Sequence, residues 1–191
     1  MAIRSAEPIA TLDPEEARWV KAMQAGDRAA FARLIRQYQS VILAYGLSML
    51  GDEALARDLC QEVLVTFWRD RGAYRHQGKL RAYLLTIARH RGLAQLKRQR
   101  SSERLQRATA ELPMVPVRTP LEEVQTMQQR LRLRSAIQDL PPDRAEVIQL
   151  RFVLGLPVAE IAEIVGVPVG TVKSRIGRGL AGLRQELSHE D

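Results

Sequence analysis

Apolar residues recur every three or four positions along most of this chain, and this spacing constrains the fold more than any other feature. In one segment Leu55, Leu59, Val63 and Phe67 repeat at four-residue intervals, which places them on one side of an α-helix. Good helix formers dominate the composition, whereas β-branched runs are short and scattered. The pattern predicts an all-α protein, and 46% hydrophobic residues are enough to bury a core.

Helix boundaries are marked by capping residues. Asp13, Asp27 and Asp52 each stand where a side chain can cap the first turn of a helix, and Gly51 stands where a helix can end. These signals predict three successive helices, and the apolar spacing predicts a fourth over about 80–100.

The helical pattern lapses between residues 101 and 120, where three prolines fall in a polar stretch. A structureless segment of this length is uncommon inside one compact domain, so we interpret it as an interdomain linker. The sequence predicts an N-terminal tail (1–12), a first helical domain (13–100), the linker (101–120) and a second helical domain (121–191). The expected architecture is two small all-α domains joined by a flexible linker.

Positive charge is concentrated in two stretches that contain no acidic residue. One runs over 71–102 and the other over 165–185, in a chain whose formal net charge is +7. An ordinary solvated helix surface usually carries mixed signs. Two acid-free faces therefore favour contact with a polyanion at two places.

Residues 157–176 carry the pattern of a helix-turn-helix. Ala162 is small where two helices must approach closely, and Gly166 suits the turn between them. The residues expected to be buried between the helices are Ile161, Val172 and Ile176. The residues expected on the opposite face of the second helix are Thr171, Ser174, Arg175 and Arg178. Such an exposed, acid-free helix suits the major groove of duplex DNA, and an ordinary helical hairpin is the alternative.

The second half also shares a longer set of residues with a known family. The set includes Leu140, Pro141, Leu150, Arg151, Phe152, Glu160, Ile161, Ala162, Gly166, Val167, Pro168, Gly170, Thr171, Val172, Lys173, Ser174, Arg175 and Arg178. It resembles the fourth conserved region of extracytoplasmic-function (ECF) sigma factors, which binds the promoter −35 element and the flap of the polymerase β subunit. By position, the resemblance implies that Lys173, Ser174, Arg175 and Arg178 face DNA and that Thr171 contacts a phosphate.

Three glycines in the second helix depart from the family pattern. They are Gly177, Gly179 and Gly182, and each should cost about 1 kcal/mol against alanine in a helix interior. We expect them to mark either close packing or a helix that becomes firm only when bound.

The first half resembles the second conserved region of the same family. The matching residues include Asp27, Ala30, Phe31, Leu34, Tyr38, Asp52, Asp58, Gln61, Glu62, Val63, Phe67, Trp68, Leu80, Arg81, Ala82, Tyr83, Leu84, Ile87, Ala88 and Arg89. The resemblance implies that Asp58, Gln61 and Glu62 dock on the coiled coil of the polymerase β′ subunit. A plain solvated helix face is the alternative.

The basic helix that follows is implied to melt the −10 region and capture a flipped base. Basic side chains hold a single strand while rings receive its bases. The candidates are Tyr74, Arg75, His76, Lys79, Arg81, Tyr83, Arg89 and Arg91. Trp68 and Tyr74 have core packing as the alternative. Tyr83 and His90 stand where the family usually has Trp and Asn, which should alter −10 preference and leave the fold intact.

No catalytic, metal or cofactor site is expected. The three histidines are far apart, and the single cysteine, Cys60, allows neither an internal disulfide nor zinc-ligand spacing. No phosphate loop or nucleophile motif is present, so we expect a non-enzyme. The polar start and the lack of a long apolar run predict a cytoplasmic protein without membrane insertion.

The resemblance implies a subunit that joins core RNA polymerase, through the β′ coiled coil and the β flap, and recognises promoter DNA. An anti-sigma factor is a further implied partner. The linker is too short for a third domain, which is typical of the two-domain ECF class. The alternatives are a freestanding helix-turn-helix regulator and an interaction protein that imitates a sigma factor without initiating transcription. The acid-free helix before the linker argues against the freestanding regulator.

Overall fold

A computed structural model describes residues 13–75, 78–107, 132–133, 135–137 and 139–188 of the chain. The helices of the first half are α1 (Pro14–Gln24), α2 (Arg28–Leu50), α3 (Glu53–Arg69) and α4 (Leu80–Arg107). Those of the second half are α5 (Pro142–Ile148), a π-helical segment (Gln149–Val153), α6 (Val158–Val165) and α7 (Val169–Ser188). His76, the predicted tail, most of the predicted linker and the start of the predicted second domain lie outside the described residues.

The first three helices begin at aspartate caps, as predicted. Asp13, Asp27 and Asp52 each accept hydrogen bonds from backbone N–H groups two or three residues later, at 2.7 to 3.2 Å. Gly51 ends α2 with a left-handed backbone, φ 76°. These boundaries are confirmed because each depends on contacts within a few residues.

Two predicted boundaries differ from the structure. Helix α4 continues to Arg107 instead of ending at residue 100, since the next seven residues contain neither proline nor glycine. The Pro141–Pro142 pair and Gly155 also predict a helix that begins at the prolines and ends at the glycine. This helix is α-helical only from Pro142 to Ile148 and then widens into the π-helical segment.

Helix α2 is the centre of the first half, where it packs against α1, α3 and α4. Tyr45 and Ile42 on α2 are fully buried in this core. Gly46 allows the close approach of α3, because a Cβ there would lie 3.3 Å from the Cα of Ala56. Cys60 is buried, and burial raises the pKa of its thiol.

The second half contains the predicted helix-turn-helix in α6 and α7. Gly166 makes the turn with φ +71°, and Ile161 and Val172 are fully buried between the two helices. Ile176 is partly buried at the same contact. Helix α7 also packs against α5, with Ile148 and Leu183 in a smaller apolar cluster.

Two of the three unusual glycines are sites of close packing. A Cβ on Gly179 would lie 2.9 Å from Cγ1 of Ile148, and a Cβ on Gly182 would lie 2.9 Å from Cδ2 of Leu140. A Cβ added to Gly177 would have nothing within 4 Å. Close packing therefore accounts for Gly179 and Gly182, and nothing in the structure explains Gly177.

The two halves pack against each other. Helix α4 contacts α6, and α2 contacts the π-helical segment. One apolar cluster includes Leu84 and Leu85 of the first half together with Val147 and Ile161 of the second. The all-helical architecture is confirmed, and its two sets of helices share a core. In the described part of the chain, no helix has both the length and the apolar character that crossing a bilayer requires.

Candidate nucleic-acid and polymerase interfaces

Helix α7 presents a basic face to solvent. Lys173, Ser174 and Arg178 are exposed and Thr171 is half-buried, while the buried Val172 anchors the helix. The Ser174 hydroxyl donates to the Thr171 carbonyl at 3.0 Å. The face points outward from the helix-turn-helix, which is the geometry that a major-groove contact needs.

Arg175 is placed differently from its neighbours. Its Nε lies 3.1 Å from Oδ2 of Asp143, and its side chain is only 24% exposed. Both residues line a cleft of about 430 Å³ between the two halves. A base contact that uses Nε of Arg175 would compete with this ion pair.

The predicted polymerase-binding face of α3 is exposed. Asp58, Gln61 and Glu62 all lie on it. Val65, one turn further on, is 66% exposed and adds an apolar residue that the sequence interpretation missed. Glu62 accepts a hydrogen bond from Nη1 of Arg91 at 3.0 Å, so this face is linked to α4.

The basic side chains at the start of α4 are paired with glutamates of the second half. Arg81 binds Glu160 through two hydrogen bonds, of which Nε to Oε1 measures 2.7 Å. Lys79 pairs with Glu163 at the exposed rim. The hydrogen bonds with Glu160 raise the pKa of the Arg81 guanidinium above its ordinary value.

Arg89 makes the most enclosed of these pairs. Its Nε lies 2.6 Å from Oε1 of Glu146 and its Nη2 lies 3.1 Å from Oε2, with both side chains about four-fifths buried. Tyr45 donates to the same carboxylate at 3.0 Å. Nearby, Gln149 Nε2 donates to the Ser48 carbonyl at 3.0 Å. The hydrogen bonds with Glu146 raise the pKa of the Arg89 guanidinium.

The candidate aromatic residues pack against one another. The rings of Tyr74 and Tyr83 lie 4.6 Å apart, and Phe67 meets Tyr74 edge-on at 5.8 Å. Tyr74 is buried, which raises the pKa of its phenol. Trp68 is half-buried against Phe31 at 4.9 Å. Core packing therefore describes Tyr74 and Trp68 in this arrangement, in agreement with the alternative role that their positions allowed.

A small cavity lies beside this cluster. It has a volume of about 200 Å³ and is lined by Tyr74, Arg75, Lys79, Tyr83 and residues of α4, with Glu163 of the second half as one wall. Arg75 is exposed and Tyr83 is half-buried. The structure thus brings four of the −10 candidates together and places an acidic side chain beside them.

No group of three or more His, Cys, Asp or Glu residues that could hold a metal ion occurs among the residues described.

Both halves match known families. The family described as sigma-70 region 2 matches residues 34–102, and that described as sigma-70, region 4 matches residues 130–183. The ECF RNA polymerase sigma factor RpoE of Cereibacter sphaeroides is 30% identical over 177 residues, which cover 89% of this chain and 95% of that protein. The chain belongs to the ECF RNA polymerase sigma factors.

Other relatives of this sigma factor carry the same description. BldN of Streptomyces coelicolor is 34% identical over 158 residues, 81% of this chain, but the chain spans only 59% of BldN. SigW of Bacillus subtilis is 27% identical over 176 residues, covering 88% of this chain and 94% of SigW. The resemblance proposed from the sequence is confirmed at the level of the family.

Two solved structures share the fold. CnrH, solved in complex with the cytosolic domain of CnrY, has a TM-score of 0.67 at 22% identity and covers 93% of this chain and 99% of its own. RpoE in complex with the anti-sigma factor NepR from Bartonella quintana has a TM-score of 0.64 at 24% identity. The match covers 83% of this chain and 96% of the RpoE chain. These two chains therefore have the same fold as this sigma factor.

The sequence interpretation missed the acidic partners of the basic residues. Glu146, Glu160 and Glu163 lie in the second half and pair with Arg89, Arg81 and Lys79 of the first. The spacing of Glu160 and Glu163 places them on one face of α6, which is the signal that was available. Their partners were not predictable, because the relative placement of the halves was not.

Proposed function

We propose that this sigma factor binds core RNA polymerase and directs initiation by contacting the −35 element with α7 and the −10 element with α4, without catalysing a reaction itself. The outward face of α7 carries the proposal. Lys173 and Arg178 are exposed there, on a helix whose opposite side is anchored by the buried Val172. A cationic helix held rigidly in this way fits the major groove.

The exposed face of α3 is the proposed docking site for the β′ coiled coil. Asp58, Gln61, Glu62 and Val65 give it the mixture of polar and apolar groups that protein interfaces use. The second half is proposed to bind the β flap. An anti-sigma factor is proposed as an inhibitory partner, in keeping with the family, and a cytoplasmic location with no cofactor follows from these roles.

Reconstituted transcription tests the proposal. The purified chain is mixed with core polymerase and a library of promoter-bearing fragments from its own genome, and run-off transcripts are sequenced. We expect transcripts that appear only when the chain is present and share two upstream elements. Core polymerase that remains inactive on every fragment would contradict the proposal.

A companion variant separates this function from that of a freestanding regulator. Asp58→Ala combined with Gln61→Ala should strongly reduce the yield of transcripts while leaving duplex binding by α7 intact, because α3 packs against α2 and α4. Tight operator binding by the unaltered chain, with no effect of core polymerase, would favour the freestanding regulator instead.

A further inference from the structure

The pairing between halves has a consequence for DNA binding. Three basic residues that the sequence nominates for the −10 strand, Lys79, Arg81 and Arg89, each donate to a glutamate of the second half. For both arginines the same two nitrogens, Nε and Nη2, are committed to a single carboxylate. A guanidinium binds a phosphate with this same fork of donors, so carboxylate and phosphate compete for it.

The three competing carboxylates differ in how far their side chains are exposed to solvent. The Glu146 and Glu160 side chains are 15% and 17% exposed, and Glu163 at the rim is 40% exposed. Glu163 also forms a wall of the cavity that Tyr74 and Tyr83 line. An acidic wall repels the phosphates of a strand that approaches this cavity.

We propose that Glu146, Glu160 and Glu163 act as phosphate surrogates that hold the free sigma factor in a closed, autoinhibited state. The −10 surface of α4 becomes available to a DNA strand only after the second half moves away. This inference rests on the proposed −10 role of α4. It adds an inhibitory contact within the chain, which we call the lock. The three glutamates that form the lock belong to the half proposed to bind the −35 element.

The physical chemistry of the enclosed pair explains how the lock opens. Removing one member of a buried ion pair leaves the other charge unpaired and poorly hydrated, which is costly. Separation of the halves relieves that cost, because Arg89 can then be hydrated or bind a phosphate. Neutral glutamine in place of glutamate should therefore shift the population towards the open state.

The test uses the full chain with Glu146→Gln, Glu160→Gln and Glu163→Gln combined, which we call the lock variant. A matched control combines Glu15→Gln, Glu53→Gln and Glu186→Gln, three exposed glutamates whose loss changes the net charge equally. Binding of a fluorescein-labelled single-stranded thymidine oligonucleotide is measured by anisotropy. The radius of gyration is measured by small-angle X-ray scattering, and circular dichroism checks that each variant remains folded.

We expect the lock variant to expand and to bind the oligonucleotide at least about tenfold more tightly than the control variant, since the competent population rises. Adding oligonucleotide should also expand the unaltered chain. Equal affinities of the lock and control variants would overturn the proposal, as would binding of oligonucleotide by the unaltered chain without expansion.

The salt dependence of oligonucleotide binding gives a second measurement on the unaltered chain and the lock variant. Salt weakens both the internal ion pairs and the DNA contacts. The affinity of the unaltered chain for the oligonucleotide should therefore fall less steeply with salt than that of the lock variant. Identical slopes would overturn the lock. If transcription fails while the lock variant expands and binds more tightly, the proposed function is rejected and the lock is supported.

Discussion

At the scale of single residues, α7 contains three glycines that the structure distinguishes sharply. Gly179 and Gly182 face α5 and the residues just before it so closely that a Cβ would meet Ile148 or Leu140 at 2.9 Å. Gly177 lies on the exposed side, with nothing within 4 Å of the same position. Their shared cost in helix propensity is therefore offset by packing at two positions and not at the third.

Alanine substitution at Gly177 and at Gly179 should have opposite effects. Gly177→Ala should stabilise the protein by up to about 1 kcal/mol through helix propensity. Gly179→Ala gains the same propensity, but the added methyl group overpacks against Ile148, which typically costs about 1–3 kcal/mol. Urea unfolding of both variants measures the difference. Equal stabilisation by the two would show that α5 does not approach α7 as described.

Two arginines of α7 also differ from each other in their surroundings. Arg178 is exposed, whereas Arg175 is held by Asp143 at 3.1 Å. Arg178→Ala should weaken binding to a −35 duplex by about 1–3 kcal/mol, as for a base-reading arginine. Arg57→Ala, an exposed arginine of α3, is the matched control and should leave the affinity unchanged. The two affinities are compared by titration, and an unaffected Arg178→Ala would remove this residue from the interface.

At the scale of elements, α3 has one face in the core and the other directed to solvent. Leu59, Val63 and Phe67 are fully buried, and the opposite face carries Asp58 and Gln61. An amphipathic helix of this kind can lose its exposed side chains without losing its packing. The function of the exposed face is therefore separable from the fold.

The paired substitution Asp58→Ala and Gln61→Ala should weaken binding to core polymerase by about tenfold, or about 1.4 kcal/mol. The midpoint of thermal unfolding should change little, because both side chains are exposed. Surface-immobilised core polymerase provides the measurement. Glu53→Ala, at the start of the same helix, is the control. An equal loss of polymerase affinity in the control and in the double variant would contradict a specific docking face.

At the scale of the whole molecule, the described residues of the two halves share one apolar cluster and three ion pairs. Helices that share a core usually unfold together. In this sigma factor the shared contact also pairs Lys79, Arg81 and Arg89, three of the residues proposed to bind the −10 strand, with glutamates of the second half. In the proposed closed state, the contact that stabilises the molecule therefore opposes the access of DNA to α4.

Calorimetry should record one unfolding transition for the unaltered chain at low salt. The variant with Glu146, Glu160 and Glu163 replaced by glutamine should unfold in two transitions, because the halves no longer stabilise each other. Two resolved transitions in the unaltered chain would show that the contact between halves is too weak to couple them.

The sequence by itself determined the features that depend on neighbouring residues. The aspartate caps, the turn at Gly166 and the buried positions Ile161 and Val172 all follow from contacts within one helix or between adjacent helices. Local contacts of this kind are encoded by spacing and residue type, which is why they were predictable. The family resemblance, confirmed by comparison, rests on the same local patterns.

Only the tertiary structure decided which charges meet. Arg81 and Glu160 are 79 residues apart and Arg89 and Glu146 are 57 apart, so no local pattern joins them. The burial of Tyr74 and the pairing of Arg175 with Asp143 depend equally on how distant helices pack. Such contacts follow from the relative placement of whole helices, which is fixed by the sum of many weak apolar contacts across the shared core.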